Sequence, residues 1–327
     1  MGPPKKRMIL MLGFLLVFVL ALASCSQEPE EVEVEVTRVV EVAGETTEVE
    51  VTRVVEVPVE VEVEVPGEPA VVVPFEEEWA GSGHADAMAE AFVHWDEDDP
   101  AEVPTACAKC HSTPGFQAFV GADGSEFGVV EEAAPIGTTV ECEACHNDAT
   151  LALDSVVFPS GMEVTGLGGE ARCMQCHQGR HSTVSVNQSI VDAGLGEGDE
   201  DTVSEDLGFS NIHYYAAAAT LYGTAAKGGY EYDGMAYDGK FDHVAGYDGC
   251  TDCHNPHTLE VKVEECTACH TDVSSAEDLV NIRMPGSAVD YDGDGDMDEG
   301  IIFEIEGLQE MLSEAMNAYA VEVSGSG

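Results

Sequence analysis

Five stretches of the chain carry a readable pattern of apolar and polar positions. Met8 to Ala23 form a run of 16 apolar residues directly behind Lys5, Lys6 and Arg7. That length is short for a membrane span and suits the apolar core of a secretory signal, so residues 1–24 are predicted to be a targeting segment. Glu33 to Val42 read EVEVTRVVEV, and Glu48 to Val57 repeat them 15 positions later. Alternation at period two predicts a strand with one apolar face. Pro58, Pro66, Pro69 and the dense negative charge work against burial, so residues 25–75 are expected to be an acidic, solvated Val/Glu-repeat tether. The alternative is a β-ribbon that pairs between neighbouring molecules, since valine-rich edges invite pairing. Further on, Gly83 to Trp95 and the alanine-rich run after Ile212, through Leu221, have helix propensity. Asp233-Gly234 and Asp238-Gly239 signal turns. Ile305, Leu308, Leu312, Ala315 and Tyr319 recur at helical spacing and predict one amphipathic helix, its stripe expected to serve packing.

Charge narrows the possible partners. The 327 residues include 64 acidic and 12 basic side chains, a formal net charge of −52. A nucleic-acid binder needs a basic footprint to displace counterions from phosphates, so none is expected. Electrostatic docking on an anionic lipid surface is disfavoured for the same reason.

The chemistry lies in the cysteines. Between residues 107 and 270 the pattern Cys-x-x-Cys-His occurs five times: Cys107, Cys110, His111; Cys142, Cys145, His146; Cys173, Cys176, His177; Cys250, Cys253, His254; and Cys266, Cys269, His270. This is the attachment signature of c-type haem. Two thiols one turn apart reach two porphyrin vinyl groups, and the adjoining imidazole becomes the proximal iron ligand. Zinc knuckles combine in pairs and would leave one of five over. Redox pairs and disulfides do not explain the histidines. Ten of the 11 cysteines are used in this way, and Cys25 is the eleventh.

Six histidines remain: His84, His94, His181, His213, His243 and His257. All fall in the motif-bearing region, and five of the six are expected to serve as distal ligands, giving every iron two histidines. His257 and His181 follow their motifs so closely that they should point to a neighbouring haem. His84 and His94, ten positions apart on one helix, would not share a face. The 77-residue gap between the third and fourth motifs holds three of these histidines and reads as a ligand-supplying excursion. The last two motifs start 16 residues apart, which predicts haems in contact. From Phe75 to Arg283 there are 209 residues, roughly 42 per haem, too few for a conventional core around each.

The segment from about Gly83 to Arg283 resembles bacterial multihaem c-type cytochromes, in its five motifs and in the Cys-His-x-x-His form at His254 and His257. The resemblance implies a mostly irregular fold, with short α-helices and a few β-hairpins packed around stacked haems, over residues 76–284. It also implies long-range electron transfer to redox partner proteins or an extracellular acceptor. Some relatives self-associate into filaments by passing a distal histidine between subunits, and the sixth histidine permits that here. Pentahaem nitrite reductases replace the catalytic motif's histidine by lysine, and no such motif occurs. Leu22-Ala23-Ser24-Cys25 resembles the lipobox of bacterial lipoproteins, which makes Cys25 the candidate lipid anchor to a membrane.

Residues 285–327 are separate. Asp290, Asp292, Asp294 and Asp296 alternate as in a calcium loop, and Gly295 stands where an EF-hand turns. Position 12 of that register is Ile301 rather than glutamate, so either Glu299 or Glu304 would have to substitute, or the segment is a solvated acidic turn.

The leading reading is an electron carrier with closed irons and no catalytic residue. The alternatives are a reductase of nitrogen or sulfur oxyanions with one open haem, and a filament subunit. An oxyanion site needs cations, and six lysines and six arginines make a poor host. The lipobox reading predicts that Cys25→Ser releases the protein from membranes, as fractionation would measure, with its haem spectrum unchanged.

Overall fold

The computed structural model describes residues 37–42, 45–50, 72–240 and 242–325. Cys25, the apolar run and most of the Val/Glu tract lie outside the described residues. Contacts divide the chain into two units, residues 1–72 and 73–327.

In the first unit, β1 (Thr37–Val42) and β2 (Glu45–Glu50) pair antiparallel, from Thr37 opposite Glu50 to Val42 opposite Glu45. Over these positions the period-two pattern prevails. This ribbon pairs within the chain, where joining close neighbours in sequence has little loop-closure entropy to overcome.

The second unit is a succession of short elements. It begins with α1 (Glu76–Ala80), α2 (Glu90–Val93), β3 (Glu102–Val103), α3 (Thr105–His111), α4 (Thr113–Val120), β4 (Ala134–Pro135), α5 (Cys142–Cys145) and α6 (Asp148–Leu151). There follow β5 (Ser155–Val157), β6 (Glu163–Thr165), α7 (Ala171–His177), α8 (Thr183–Asp192), α9 (Ala217–Tyr222), α10 (Cys250–Cys253), α11 (Val263–Cys266) and α12 (Ile301–Ser324). The strands form two small antiparallel pairs, β3 with β4 and β5 with β6. Among the described residues no helix is long and apolar enough to cross a membrane.

Apolar burial is divided among three small clusters, each behind a motif. Trp95, Val103, Ala108 and Ala134 back the first. Phe116, Val120 and Ala144 back the second. Val156, Phe158, Ala171, Met174, Ala218, Ala219, Tyr222 and Ala226 back the third. The helices of the fourth and fifth motifs, α10 and α11, contain no buried residue. The protein core therefore thins toward the last two motifs.

Three elements differ from expectation. Gly83 to Trp95 is not one helix: Asp86 Oδ1 accepts the Met88 amide at 3.0 Å, Ala89 is extended, and only α2 is helical. Local side-chain bonding has outcompeted the helix there. His213 and Tyr215 have φ of 86° and 53°, so the alanine-rich helix starts only at Ala217. The amphipathic helix exists as α12, but Ile305, Leu308, Leu312 and Tyr319 are exposed, so its stripe does not pack within this unit. It is held instead by polar contacts: Arg283 Nη1 with Glu304 Oε1 at 2.7 Å, and the Tyr319 hydroxyl on Asp201 at 2.6 Å.

The junction of α3 and α4 sets the first motif. Ser112 Oγ accepts the Gly115 amide at 3.3 Å, and a Cβ at Gly115 would overlap the backbone of Ala108. Gly115→Ala should therefore destabilise by about 1–3 kcal/mol through overpacking. Gly83→Ala, with nothing near its Cβ, should be silent. Thermal melts followed by circular dichroism check both.

Candidate haem-binding sites

The first four motifs present both thiols from a short helix, whereas in the fifth Cys266 ends α11 and Cys269 lies in the turn beyond it. All ten motif cysteines are free thiols. Burial raises the thiol pKa of Cys107, Cys145 and Cys253. The hydrogen bond to Cys110, together with burial, pushes Cys176 up, and the bond to Cys173 does the same to Cys250. Thiols of different motifs thus lie against one another: the first beside the third, and the third beside the fourth.

Three motif histidines have their outer nitrogen committed. Nδ1 of His111 bonds the Ala91 carbonyl at 2.9 Å, that of His177 the Tyr215 carbonyl at 2.8 Å, and that of His254 the Leu259 carbonyl at 2.9 Å. A carbonyl can only accept, so Nδ1 carries the hydrogen and Nε2 keeps a bare lone pair. This is the outer-shell arrangement of a metal-ligating imidazole.

Four motif histidines are faced by a second imidazole. Ring centres lie 6.4 Å apart for His177 and His84, 5.8 Å for His111 and His213, 6.2 Å for His146 and His257, and 6.0 Å for His270 and His243. A metal bound by two imidazole nitrogens at about 2.0 Å each would put ring centres about 6.3 Å apart. The donor set and its spacing therefore fit iron held between paired histidines. The members of each pair stand 27 to 111 positions apart in the chain.

Local structure explains how the distal rings are placed. His84 is tied to the approach of the second motif by its carbonyl, which accepts the Val140 amide at 3.1 Å. Trp79 Nε1 donates to the Val140 carbonyl at 2.9 Å. His213 follows Ile212, whose carbonyl accepts the Arg180 amide at 3.0 Å, so the exit of the third motif positions the partner of the first. His257 sits in a turn closed by Asn255, whose Oδ1 accepts the His257 and Thr258 amides at 2.8 and 3.2 Å. Phe75 stacks on its ring with centroids 4.5 Å apart and planes within 6°.

His94 and His181 are not brought to a motif histidine. His94 bonds Glu90 at 2.8 Å with 59% of its side chain exposed, and packs edge-on against Trp95. His181 lies 3.5 Å from Ser185 Oγ. Among the described residues no second imidazole faces His254. Sequence reasoning missed the carbonyls of Ala91, Tyr215 and Leu259 and the ring of Phe75. Tyr215, Leu259 and Phe75 take left-handed backbone angles, and nothing in a tyrosine, leucine or phenylalanine signals that.

Burial lowers the proton affinity of His84, with His177 adding to the effect. It also lowers that of His111, despite the Ala91 bond, and of His213, where Arg180 contributes. Above the ordinary imidazole pKa of 6.5, these rings are neutral both folded and unfolded. Below it the unfolded chain takes up protons that the folded rings refuse, so stability falls as pH falls. The haem-free chain should therefore hold its stability down to about pH 6.5 and lose it only in more acid solution. Absorbance and circular dichroism titrated together measure this.

Comparison with known proteins agrees with the motif chemistry. Residues 91–178, which hold the first three motifs, match the family described as cytochrome c7 and related cytochrome c. A C-type polyheme cytochrome of Geobacter sulfurreducens, OmcC, is 28% identical over 189 residues, covering 48% of this chain and 23% of that protein. The chain thus spans less than a quarter of that relative's length. No solved structure matches. Short helices, small antiparallel sheets, repeated attachment motifs and these likenesses point one way: residues 91–178 match the cytochrome c7 family, and the chain is similar to bacterial multihaem c-type cytochromes.

Proposed function

We propose that the protein is an exported electron carrier with five covalent haems, one on each Cys-x-x-Cys-His motif, anchored through a lipid on Cys25 at the outer face of a bacterial membrane. The observation that carries this reading is the facing of His177, His111, His146 and His270 by His84, His213, His257 and His243 at the spacing of paired iron ligands. Haem, when bound, supplies an iron that cycles between ferric and ferrous states. The thiols would fix each group, and at the four paired motifs the two histidines would hold its iron and leave no place for a substrate. The relative's name, a polyheme cytochrome, supports several haems on one chain.

Charge favours the same reading. A net charge of −52 repels anionic substrates and steers cationic redox partners toward the surface. The acceptor is then a basic redox protein or an extracellular acceptor, and the reading needs no nucleic acid.

His254 gives the alternative a specific foothold, since no second imidazole faces it among the described residues. A haem there with an open position would make the protein a reductase.

Two measurements decide. Intact mass of the mature protein should show five haems; four or fewer rejects at least one motif. Electron paramagnetic resonance of the oxidised protein should show low-spin iron at the four paired motifs, whereas a high-spin signal from the His254 motif together with nitrite or cyanide binding favours the enzyme. His257→Ala should convert one haem in five to high spin, and His94→Ala none.

A further inference from the structure

The loop before α12 is built around carboxylates that the haem chemistry does not use. Asp290 accepts the amides of Gly293 and Gly295 at 2.6 and 3.1 Å, and Asp292, Asp294 and Asp296 accept those of Asp294, Asp296 and Asp298. The effect is a tight coil in which Asp290 and Asp292 are half-buried while Asp294, Asp296 and Asp298 stay exposed. One oxygen each of Asp290, Asp292 and Asp294 lie within 4.8 Å of one another, and so do oxygens of Asp292, Glu299 and Glu304. Asp292 belongs to both groups, so the two form one continuous bowl.

The acids are not equivalent. Glu304 is fully buried and fully employed: Oε1 accepts Arg283 at 2.7 Å, and Oε2 accepts the Tyr291 and Asp292 amides at 2.6 and 3.2 Å. It organises the loop and has little left to give a ligand. Glu299 is the opposite case. Its Oε1 is sealed from solvent and has no hydrogen-bond partner. A carboxylate oxygen shut off from water beside other carboxylates, with nothing to bond, is unfavourable unless a cation meets it. Arg283 does not serve, because it is spent on Glu304 and on the carbonyls of Ser287, Val289 and Glu299. Gly307 on α12 keeps the bowl open on its remaining side, for a Cβ there would overlap the Asp292 carboxylate.

We infer that Asp290, Asp292, Asp294 and Glu299 bind one hard divalent cation of calcium's kind, with Glu299 in place of the glutamate that the EF-hand register lacks at Ile301. The all-oxygen set contains no imidazole or thiolate, which excludes soft metals. An irregular cage of several carboxylates suits calcium's 6–8 flexible ligands better than magnesium's octahedron. The cation would fasten α12 to the segment that follows the fifth motif. Ile301 donates to the Ile282 carbonyl at 3.2 Å, and a Cβ at Gly300 would overlap the Val280 carbonyl, so the two segments already touch at the loop's end.

The test uses the holoprotein stripped with chelator and titrated with calcium chloride by calorimetry and native mass spectrometry. One calcium should bind, with a dissociation constant of about 10⁻⁴–10⁻³ M or tighter, as for extracellular calcium modules. It should protect residues 284–300 from proteolysis, and magnesium at equal concentration should not. Glu299→Gln, which removes an unpaired buried charge without changing shape, should weaken binding about tenfold or more with the haem spectrum intact. Asp294→Asn, at an exposed position that keeps the turn, should do the same and stands in if the first variant folds poorly. No calcium binding at millimolar concentration, or full affinity in both variants, would overturn the inference.

Discussion

Four contacts between imidazoles, each joining a motif histidine to one from elsewhere in the chain, are the constraint around which this thinly packed fold is arranged. His84, His213, His243 and His257 each reach a motif other than the one nearest in sequence, so each pair sews distant parts of the chain together. The first motif is closed by a residue held at the exit of the third, the second by one from the exit of the fourth, and the third by one ahead of the first. Small apolar clusters suffice because they need only hold single motif helices in place. The clusters disappear at the fourth and fifth motifs, where α10 and α11 bury nothing, and the crossing pairs His146–His257 and His243–His270 do that work instead.

Holding rings at such angles puts strain into the backbone at identifiable points. Five non-glycine residues among those described have positive φ: Phe75, His213, Tyr215, Lys227 and Leu259. Four of them serve an imidazole. His213 is itself a facing ring, Phe75 stacks on His257, and the carbonyls of Tyr215 and Leu259 accept from His177 and His254. Left-handed geometry at such residues costs about 1–3 kcal/mol each and persists only where surrounding contacts over-determine it. Its concentration here ties the strain to ligand placement rather than to loop tolerance.

The motifs, and the way His257 turns back through Cys-His-Asn-Pro-His, are legible in the sequence because covalent attachment demands fixed spacing. The stepping-out of His213 and His243 from the long gap is legible for the same reason: a gap without motifs but with histidines has few other uses. Pairing is not legible, since three of the four pairs depend on crossings between segments about a hundred residues apart. The helices expected at Gly83–Trp95 and from Ile212 also fail locally. Asp86 caps the chain early in one, and the left-handed His213 and Tyr215 delay the other. Propensity predicts what a free segment prefers, and these segments are bent to serve rings.

Charge is distributed with the same economy. In a chain with 64 acidic and 12 basic side chains, four of the cations after residue 72 lie close enough to motif groups to shift their proton affinity. Lys109 acts on Cys110 and Cys176, Arg172 on Cys145 and Cys173, Arg180 on Cys107, His111 and His213, and Lys262 on Cys253. A nearby positive charge favours the reduced state of an iron, and surrounding carboxylates favour the oxidised one. Were iron held at the motifs as proposed, the placement of these few cations would be one means by which the chain sets one motif apart from another.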